Sequence, residues 1–180
     1  MDIFIEQIVE KKSDVPTKLL KLSIVFLMGA VSCALLVAAL LFVELPFIAI
    51  SAFVTIPGVI WLGVHFLKGL TVEYEYILTN NSTNKELDID KITGQRKRRR
   101  MFTFHLNNAD AFDTVGDGFA LESDITVSAH DNTYVDMWYL SVKHDSHGKV
   151  VLLFNPDDTF AVKLNSVLPH RVRKEKEELV

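Results

Sequence analysis

Two apolar stretches near the start of the chain decide its architecture: LSIVFLMGAVSCALLVAALLFV, residues 22–43, and FIAISAFVTIPGVIWLGVHFL, residues 47–67. The first has no charged side chain, and the second has only His65, close to its end. A helix needs about 20 apolar residues to cross the ~30 Å hydrocarbon core of a bilayer, and each stretch is long enough. A three-residue link separates them. The sequence therefore predicts a transmembrane helical hairpin over residues 22–68.

Cations flank the hairpin on both sides. Four lysines precede the first stretch: Lys11, Lys12, Lys18 and Lys21. Lys68 and a further basic run follow the second stretch, whereas the link carries only Glu44. Because positively charged flanks stay in the cytoplasm, we expect a two-span protein of the cell membrane with both termini cytoplasmic.

Residues 1–21 are expected to be a cytoplasmic amphipathic segment. A short helix that ends at Pro16 would place Ile3, Phe4 and Ile8 on one face, with acidic side chains opposite. Two placements remain open, on the membrane surface or against the rest of the protein, and the acidic face favours the second.

Residues 71–170 have the pattern of a small β domain, followed by a charged tail at residues 171–180. Alternating apolar and polar residues predict six strands, at residues 71–79, 85–92, 96–106, 124–130, 133–144 and 149–154. The fourth and fifth are expected to pair as a hairpin closed by Asp131 and Asn132.

Two helical segments are predicted in this domain. Asn107 and Asn108 are candidate caps for a short one that contains Ala109, Ala111 and Phe112. The second follows the last strand, with Asn155 as its cap and Pro156 at its first position. Its buried stripe is predicted to be Phe160, Leu164 and Leu168, with Val167 beside it, and Pro169 ends it.

The strand-turn-strand sequences YEYILT (residues 74–79) and KELDIDKI (residues 85–92), followed by basic residues, resemble the opening of bacterial pleckstrin-homology-like (PH-like) domains. The chain also resembles a family of uncharacterised two-span bacterial membrane proteins, classed as a domain of unknown function. The resemblance covers residues 71–105 closely and the terminal helix loosely. The fold class expected is therefore α+β: a transmembrane hairpin, then a small antiparallel sheet or partial barrel of PH-like type, closed by a C-terminal helix.

Five consecutive cations begin the third strand, and we name them the basic strip: Arg96, Lys97, Arg98, Arg99 and Arg100. They stand out because residues 71–180 are acidic, with 14 Lys and Arg against 18 Asp and Glu. The first strand carries the chain away from the bilayer and the second brings it back, so the strip is expected near the membrane. Anionic headgroups would attract each nearby cation by about 1 kcal/mol.

Two explanations of the basic strip remain open. It could bind anionic lipid, with alternate residues reaching the headgroups, or form ion pairs with acidic residues of the adjacent strands: Glu73, Glu75, Asp88 and Asp90. Nucleic-acid binding is not expected, because such domains are usually basic.

Motifs of catalysis and cofactor binding are absent from the sequence, including G-x-x-x-x-G-K-[ST], G-x-G-x-x-G, H-E-x-x-H and G-x-S-x-G. His144, Asp145, Ser146 and His147 are interpreted as a surface turn. The single cysteine, Cys33, excludes an intramolecular disulfide. We expect no enzyme, no cofactor and no metal.

The sequence thus favours a membrane-anchored, non-enzymatic cytoplasmic domain. Its candidate partners are anionic lipid headgroups at the inner membrane surface, a protein partner or a second copy of the chain. The alternative is an accessory subunit of a larger membrane complex, assembled through the hairpin.

Overall fold

A computed structural model describes residues 3–42, 44–116, 122–132 and 136–174. The chain divides into two compact units, which are described separately. One is the hairpin, Ser13–Thr71, and the other joins Met1–Lys12 to Val72–Val180.

The hairpin consists of α1 (Val15–Leu41) and α2 (Pro46–Gly69). Both helices are long and apolar enough to cross a membrane. No residue of α1 is buried; Ile24, Met28 and Leu35 are half-buried along one stripe, and most of its other apolar side chains are exposed. A helix that is apolar all round suits a lipid environment.

The two helices approach closely where Gly63 meets Met28. A Cβ atom at Gly63 would overlap the Met28 side chain, so the absent side chain makes room for the contact. Beside this contact lies a groove of about 460 Å³ with almost wholly apolar walls, which include Leu27, Val31, Leu62 and Phe66.

The first sheet is antiparallel, with the order β1-β2-β3-β4. Its strands are β1 (Ile3–Glu10), β2 (Val72–Asn80), β3 (Lys85–Thr93) and β4 (Lys97–His105). Two turns join the last three of these strands. Asn81 closes the first by accepting the N–H groups of Thr83 and Asn84 at 3.0 and 2.6 Å. The second is the three-residue loop of Gly94, Gln95 and Arg96, in which Gly94 and Gln95 have the positive φ angles, 63° and 58°, of the central residues of a type I′ turn.

The predicted N-terminal helix is wrong, because residues 3–10 form β1 and pair with β2 along their whole length. Apolar residues occur on both faces of this segment, so a helical period also fits them. Ile3, Ile5 and Val9 pack against the core of the domain, which selects the strand. Pro16 does not end a helix but lies in the first turn of α1, where proline is well tolerated.

The second sheet has the order β5-β7-β8-β6. Its strands are β5 (Ala109–Thr114), β6 (Ile125–Ala129), β7 (Trp138–His144) and β8 (Gly148–Phe154). The described residues therefore form eight strands in two sheets, with no closed barrel among them, which confirms the predicted class of hairpin, small sheet domain and terminal helix.

Two local predictions in this sheet are wrong. The segment with Ala109 and Phe112 is strand β5, preceded by a 3₁₀ helix at Leu106–Asn108. A register irregularity between Ala109 and Ala111 disturbs the strand alternation and produces a helix-like spacing. The predicted hairpin of residues 124–130 with 133–144 does not form, because β6 pairs in parallel with β8. Residues 133–135 of that prediction lie outside the described residues.

The C-terminal helix α3 (Asp158–Val167) carries the predicted buried stripe. Phe160, Leu164, Val167 and Leu168 are all buried in the core. Its cap is Asp157, whose side chain accepts the Phe160 N–H at 2.7 Å. The prediction of Asn155 as the cap, with Pro156 at the first helical position, is therefore wrong.

Asn155 has another role, between strands. Its side chain accepts the Asp131 N–H at 3.1 Å and donates to the Asp136 carbonyl at 3.2 Å. The Gln7 amide of β1 donates to the Asn155 carbonyl at 3.3 Å. Asn155 thus holds together segments that are far apart in sequence.

Gly148 is expected to be required for the start of β8. Its φ is +69°, and a Cβ atom there would overlap the carboxylate of Asp124, which accepts the Lys149 N–H at 2.8 Å. Replacing Gly148 with Ala should lower the free energy of unfolding by about 1–3 kcal/mol. Urea unfolding followed by Trp138 fluorescence, in a Trp61→Phe background, measures the loss.

Gly116→Ala is the matched control for this experiment, because Gly116 has open space around its Cβ position. Equal stability of the two variants would contradict the proposed role of Gly148.

Candidate functional site

The basic strip begins at one end of the first sheet. Val72 lies opposite Thr93, and Thr93 lies opposite Lys97, so these residues form one row across β2, β3 and β4. Two residues separate Val72 from the end of α2. The strip therefore starts at the end of the sheet from which the chain continues into the hairpin.

The strand alternation divides the strip between two faces of the sheet. Arg98 lies opposite Ile92, and Arg100 lies opposite Asp90. A register shift between Ile89 and Asp90 then restores Phe102 opposite Ile89 on the core face. The basic half of β4 therefore pairs with the part of β3 that contains Asp90 and Ile92, and the apolar half packs on the core side beside Ile89.

Arg98 and Arg100 form ion pairs within the domain. Arg98 Nη2 lies 2.6 Å from Glu75 Oε1. Arg100 bridges two carboxylates, with Nη2 3.0 Å from Asp88 Oδ2 and Nε 3.1 Å from Asp90 Oδ1. For these two residues, the intramolecular explanation of the strip is the one that the structure supports.

Glu75 depends on this pairing, because only 2% of its side chain is exposed. Burial raises the pKa of its carboxyl group, and the Arg98 guanidinium opposes that rise. Its second oxygen, Oε2, is buried and has no hydrogen-bond partner among the described residues. On β4, the hydrogen bond that the Arg100 guanidinium donates to Asp90 raises the pKa of Arg100.

The other face carries cations that are not neutralised. Arg99 lies opposite Lys91, and Lys97 lies two residues before Arg99 on the same side. We name Lys91, Lys97 and Arg99 the cationic cluster. None of them makes an ion pair within the described ranges, and neither does Arg96, which is exposed beside the turn.

The facing pair of Lys91 and Arg99 is unfavourable by itself. Like charges directly opposite each other on neighbouring strands destabilise a sheet. An anion bound between them would remove the repulsion. The cationic cluster can therefore hold an anionic group such as a phosphate.

Sequence reasoning found three of these four cations, Arg96, Lys97 and Arg99, but missed Lys91. Lys91 occupies a position of β3 that shares its face with the core residues Leu87 and Ile89. A lysine on the core face of a strand could have indicated a charged site in the sequence. Only the register with β4, however, shows that Lys91 lies opposite Arg99.

The predicted histidine turn is confirmed between β7 and β8. His144 Nδ1 accepts the Ser146 N–H at 3.2 Å, and the rings of His144 and His147 stack with centroids 4.8 Å apart. Within the described part of the chain, no group of three or more His, Cys, Asp or Glu side chains is arranged to hold a metal ion.

Comparison with known families agrees with this fold. Residues 1–174 match the model of a family described as "Bacterial PH-like domain (DUF6106)". The chain belongs to this family. No curated protein and no solved structure matches it.

The DUF6106 match confirms the resemblance to bacterial PH-like domains, and it extends over β1 and both apolar helices. PH-like domains are generally non-catalytic, so membership suggests a non-enzymatic binding module.

Replacing Arg98 with Met should destabilise this DUF6106 protein in a pH-dependent way. Below the ordinary pKa of a carboxyl group, Glu75 is protonated in the folded and unfolded states, and little stability is lost. As the pH rises towards 7, folding must bury an unpaired carboxylate, and the loss should reach about 1–2 kcal/mol. Urea unfolding at pH 4 and pH 7, followed by Trp138 fluorescence in a Trp61→Phe background, tests this expectation.

Arg99→Met is the control, because Arg99 faces Lys91 and makes no ion pair among the described residues. Its stability should not fall at either pH. An equal loss in both variants, or a loss for Arg98→Met that is the same at both pH values, would contradict the role given to Glu75.

Proposed function

We propose that this protein is a membrane-anchored, non-enzymatic module that binds anionic lipid headgroups at the cytoplasmic surface of the cell membrane. The observation that carries the proposal is the cationic cluster, in which Lys91 and Arg99 face each other and no carboxylate neutralises them among the described residues. Arg96 adds a fourth exposed cation beside it.

The pairing of β1 with β2 supports a topology with both flanks of the hairpin on one side. β1 precedes α1 and β2 follows α2, yet the two strands form one ladder. A bilayer cannot divide a sheet, so two spans must return the chain to the side from which it came. The lysines that precede α1, together with Lys68, favour the cytoplasmic side.

The chain connection supports a position near the headgroups. Only residues 70 and 71 separate α2 from β2, and two linking residues reach about 10 Å at most. Val72 shares its row with Lys97 at the same end of the sheet. Each cation near an anionic surface contributes about 1 kcal/mol, so the cluster and Arg96 together could orient the domain.

The test uses the full chain in neutral detergent micelles, because a fragment that starts at residue 71 would lack β1. Short-chain phosphatidylglycerol should raise the unfolding temperature of the domain, and added salt should reduce the effect. Phosphatidylcholine of the same chain length should have no such effect. Glycerol phosphate, added alone, distinguishes a lipid headgroup from a soluble phosphate.

The decisive variant replaces Lys91, Lys97 and Arg99 with Gln, and it should lose the response to phosphatidylglycerol. The control replaces three other lysines of the domain with Gln: Lys143, Lys149 and Lys163. Loss of the response in both variants would indicate a general charge effect. An unchanged response in the cluster variant would refute lipid binding at this site.

A second candidate function is favoured by the apolar groove of the hairpin. A groove of about 460 Å³ between α1 and α2 could receive a side of another transmembrane helix. The protein would then be an accessory subunit of a larger membrane complex.

Filling the groove with a Leu62→Trp substitution should release a stoichiometric membrane partner that co-purifies with the tagged chain in mild detergent. Leu36→Trp, at an exposed position of α1 outside the groove, is the control. Retention of the partner by the Leu62→Trp variant would contradict assembly through the groove.

A further inference from the structure

The two edges of the first sheet are protected unequally. β4 has a register irregularity against β3 and begins with a run of cations, and both features discourage pairing with another chain. β1 pairs with β2 in an unbroken register over eight residues, and it contains no proline, lysine or arginine. The β1 edge therefore lacks these forms of protection, and its only charged side chains are those of Glu6 and Glu10.

The backbone of β1 has a free side. β1 is the outermost strand of its sheet, and β2 is the only strand that pairs with it among the described residues. Backbone hydrogen bonds from other described segments begin at Lys11 and Lys12, beyond the end of the strand. Alternate N–H and C=O groups of β1 therefore remain available to an added strand.

The outward side chains of β1 alternate between apolar and acidic. Phe4 and Ile8 are 66% and 58% exposed, which is unusual for large apolar residues that share one face of a short strand. Glu6 lies between these two residues, and Glu10 follows Ile8 on the same face. Both glutamates are exposed, and neither makes an ion pair within the described part of the chain.

The neighbouring strand strengthens the negative charge of this face. Glu10 lies opposite Glu73, and Ile8 lies opposite Glu75, whose Oε2 atom is buried without a hydrogen-bond partner among the described residues. Like charges opposite each other are unfavourable in a sheet. A cation placed beside Glu10 and Glu73 would relieve the repulsion.

We propose that the β1 edge binds an extended segment of a partner protein, which adds a fifth strand to the first sheet. The side chains on its outer face would alternate between apolar and basic. The apolar ones would cover Phe4 and Ile8, and lysines or arginines would lie beside Glu6 and Glu10. Backbone hydrogen bonds supply affinity in this kind of recognition, and the alternate side chains supply specificity.

The charges favour a partner protein over a second copy of this chain. Two β1 strands placed side by side would bring their glutamates together without a cation between them. The β4 edge of a second copy is basic, but its outward Arg98 and Arg100 already pair with Glu75, Asp88 and Asp90. The site is also independent of lipid binding, because none of its residues belongs to the cationic cluster.

The experiment measures peptide binding to the full chain in neutral detergent micelles by fluorescence anisotropy. The probe is a nine-residue peptide whose outward residues alternate between Val and Lys, with Thr at the positions between. One matched peptide has Glu in place of Lys. A second has alternate backbone amides N-methylated along one edge, which blocks strand pairing without changing the charge.

The Val–Lys peptide is expected to bind, whereas the Glu peptide and the N-methylated peptide are not. Glu6→Gln combined with Glu10→Gln should weaken binding by up to roughly twenty-five-fold, since each cross-strand ion pair contributes up to about fivefold. Both residues are exposed, so the variant should fold normally. Glu122→Gln combined with Asp145→Asn removes the same charge elsewhere on the domain and should leave binding unchanged.

Three results would overturn the proposal. Equal binding of the Glu peptide would exclude the charge recognition, and equal binding of the N-methylated peptide would exclude strand addition. Sedimentation equilibrium provides the third. Self-association that the Val–Lys peptide competes away, and that the Glu6→Gln, Glu10→Gln variant loses, would make a second copy the occupant.

Discussion

The structure of the domain depends on one buried hydroxyl group, that of Tyr76. Tyr76 belongs to β2, is completely buried and donates a hydrogen bond to the Ala129 carbonyl at the end of β6. The Asn155 N–H donates to the Tyr76 hydroxyl oxygen at 3.4 Å. Its ring meets Phe154 and Phe160 edge-on, with centroids 5.5 and 6.0 Å away. One side chain of the first sheet therefore contacts the second sheet and the terminal helix.

The Tyr76 hydroxyl must keep these partners, because a buried polar group without a hydrogen bond is costly. Burial also raises the pKa of its phenol well above the ordinary value, so the group remains a neutral donor. The ends of β6 and β8 are thereby held against the middle of β2. This attachment joins the first sheet, which carries the basic strip, to the second sheet.

Much of this organisation could be predicted from the sequence, because it depends on local patterns. The apolar stretches, the strands β2 to β4 and the buried stripe of α3 each show their period in consecutive residues. β1 could not be predicted so well, since Ile3, Phe4, Ile5 and Ile8 satisfy a helix as well as a strand. The parallel pairing of β6 with β8 depends on contacts between segments about 25 residues apart, such as Asp124 with Lys149.

In the candidate site, too, the local sequence pattern could be predicted but the contacts between strands could not. Five consecutive cations mark β4 in the sequence, but the register with β3 decides which of them are free. Arg98 and Arg100 face carboxylates, whereas Arg99 faces Lys91. The alternation along a strand predicts which residues share a face, but it does not show which residues of the neighbouring strand lie opposite them.

The pairing of β1 with β2 also has a consequence for biogenesis. The 61 residues of the hairpin and its linkers separate the end of β1 from the start of β2. At about 5–20 residues per second, the ribosome needs roughly 3–12 s to complete this interval. During that time β1, with Phe4 and Ile8, has no β2 to pair with. In the proposed topology, insertion of only one span would leave the two strands on opposite sides of the bilayer, so the whole hairpin would have to be integrated before β1 and β2 could pair.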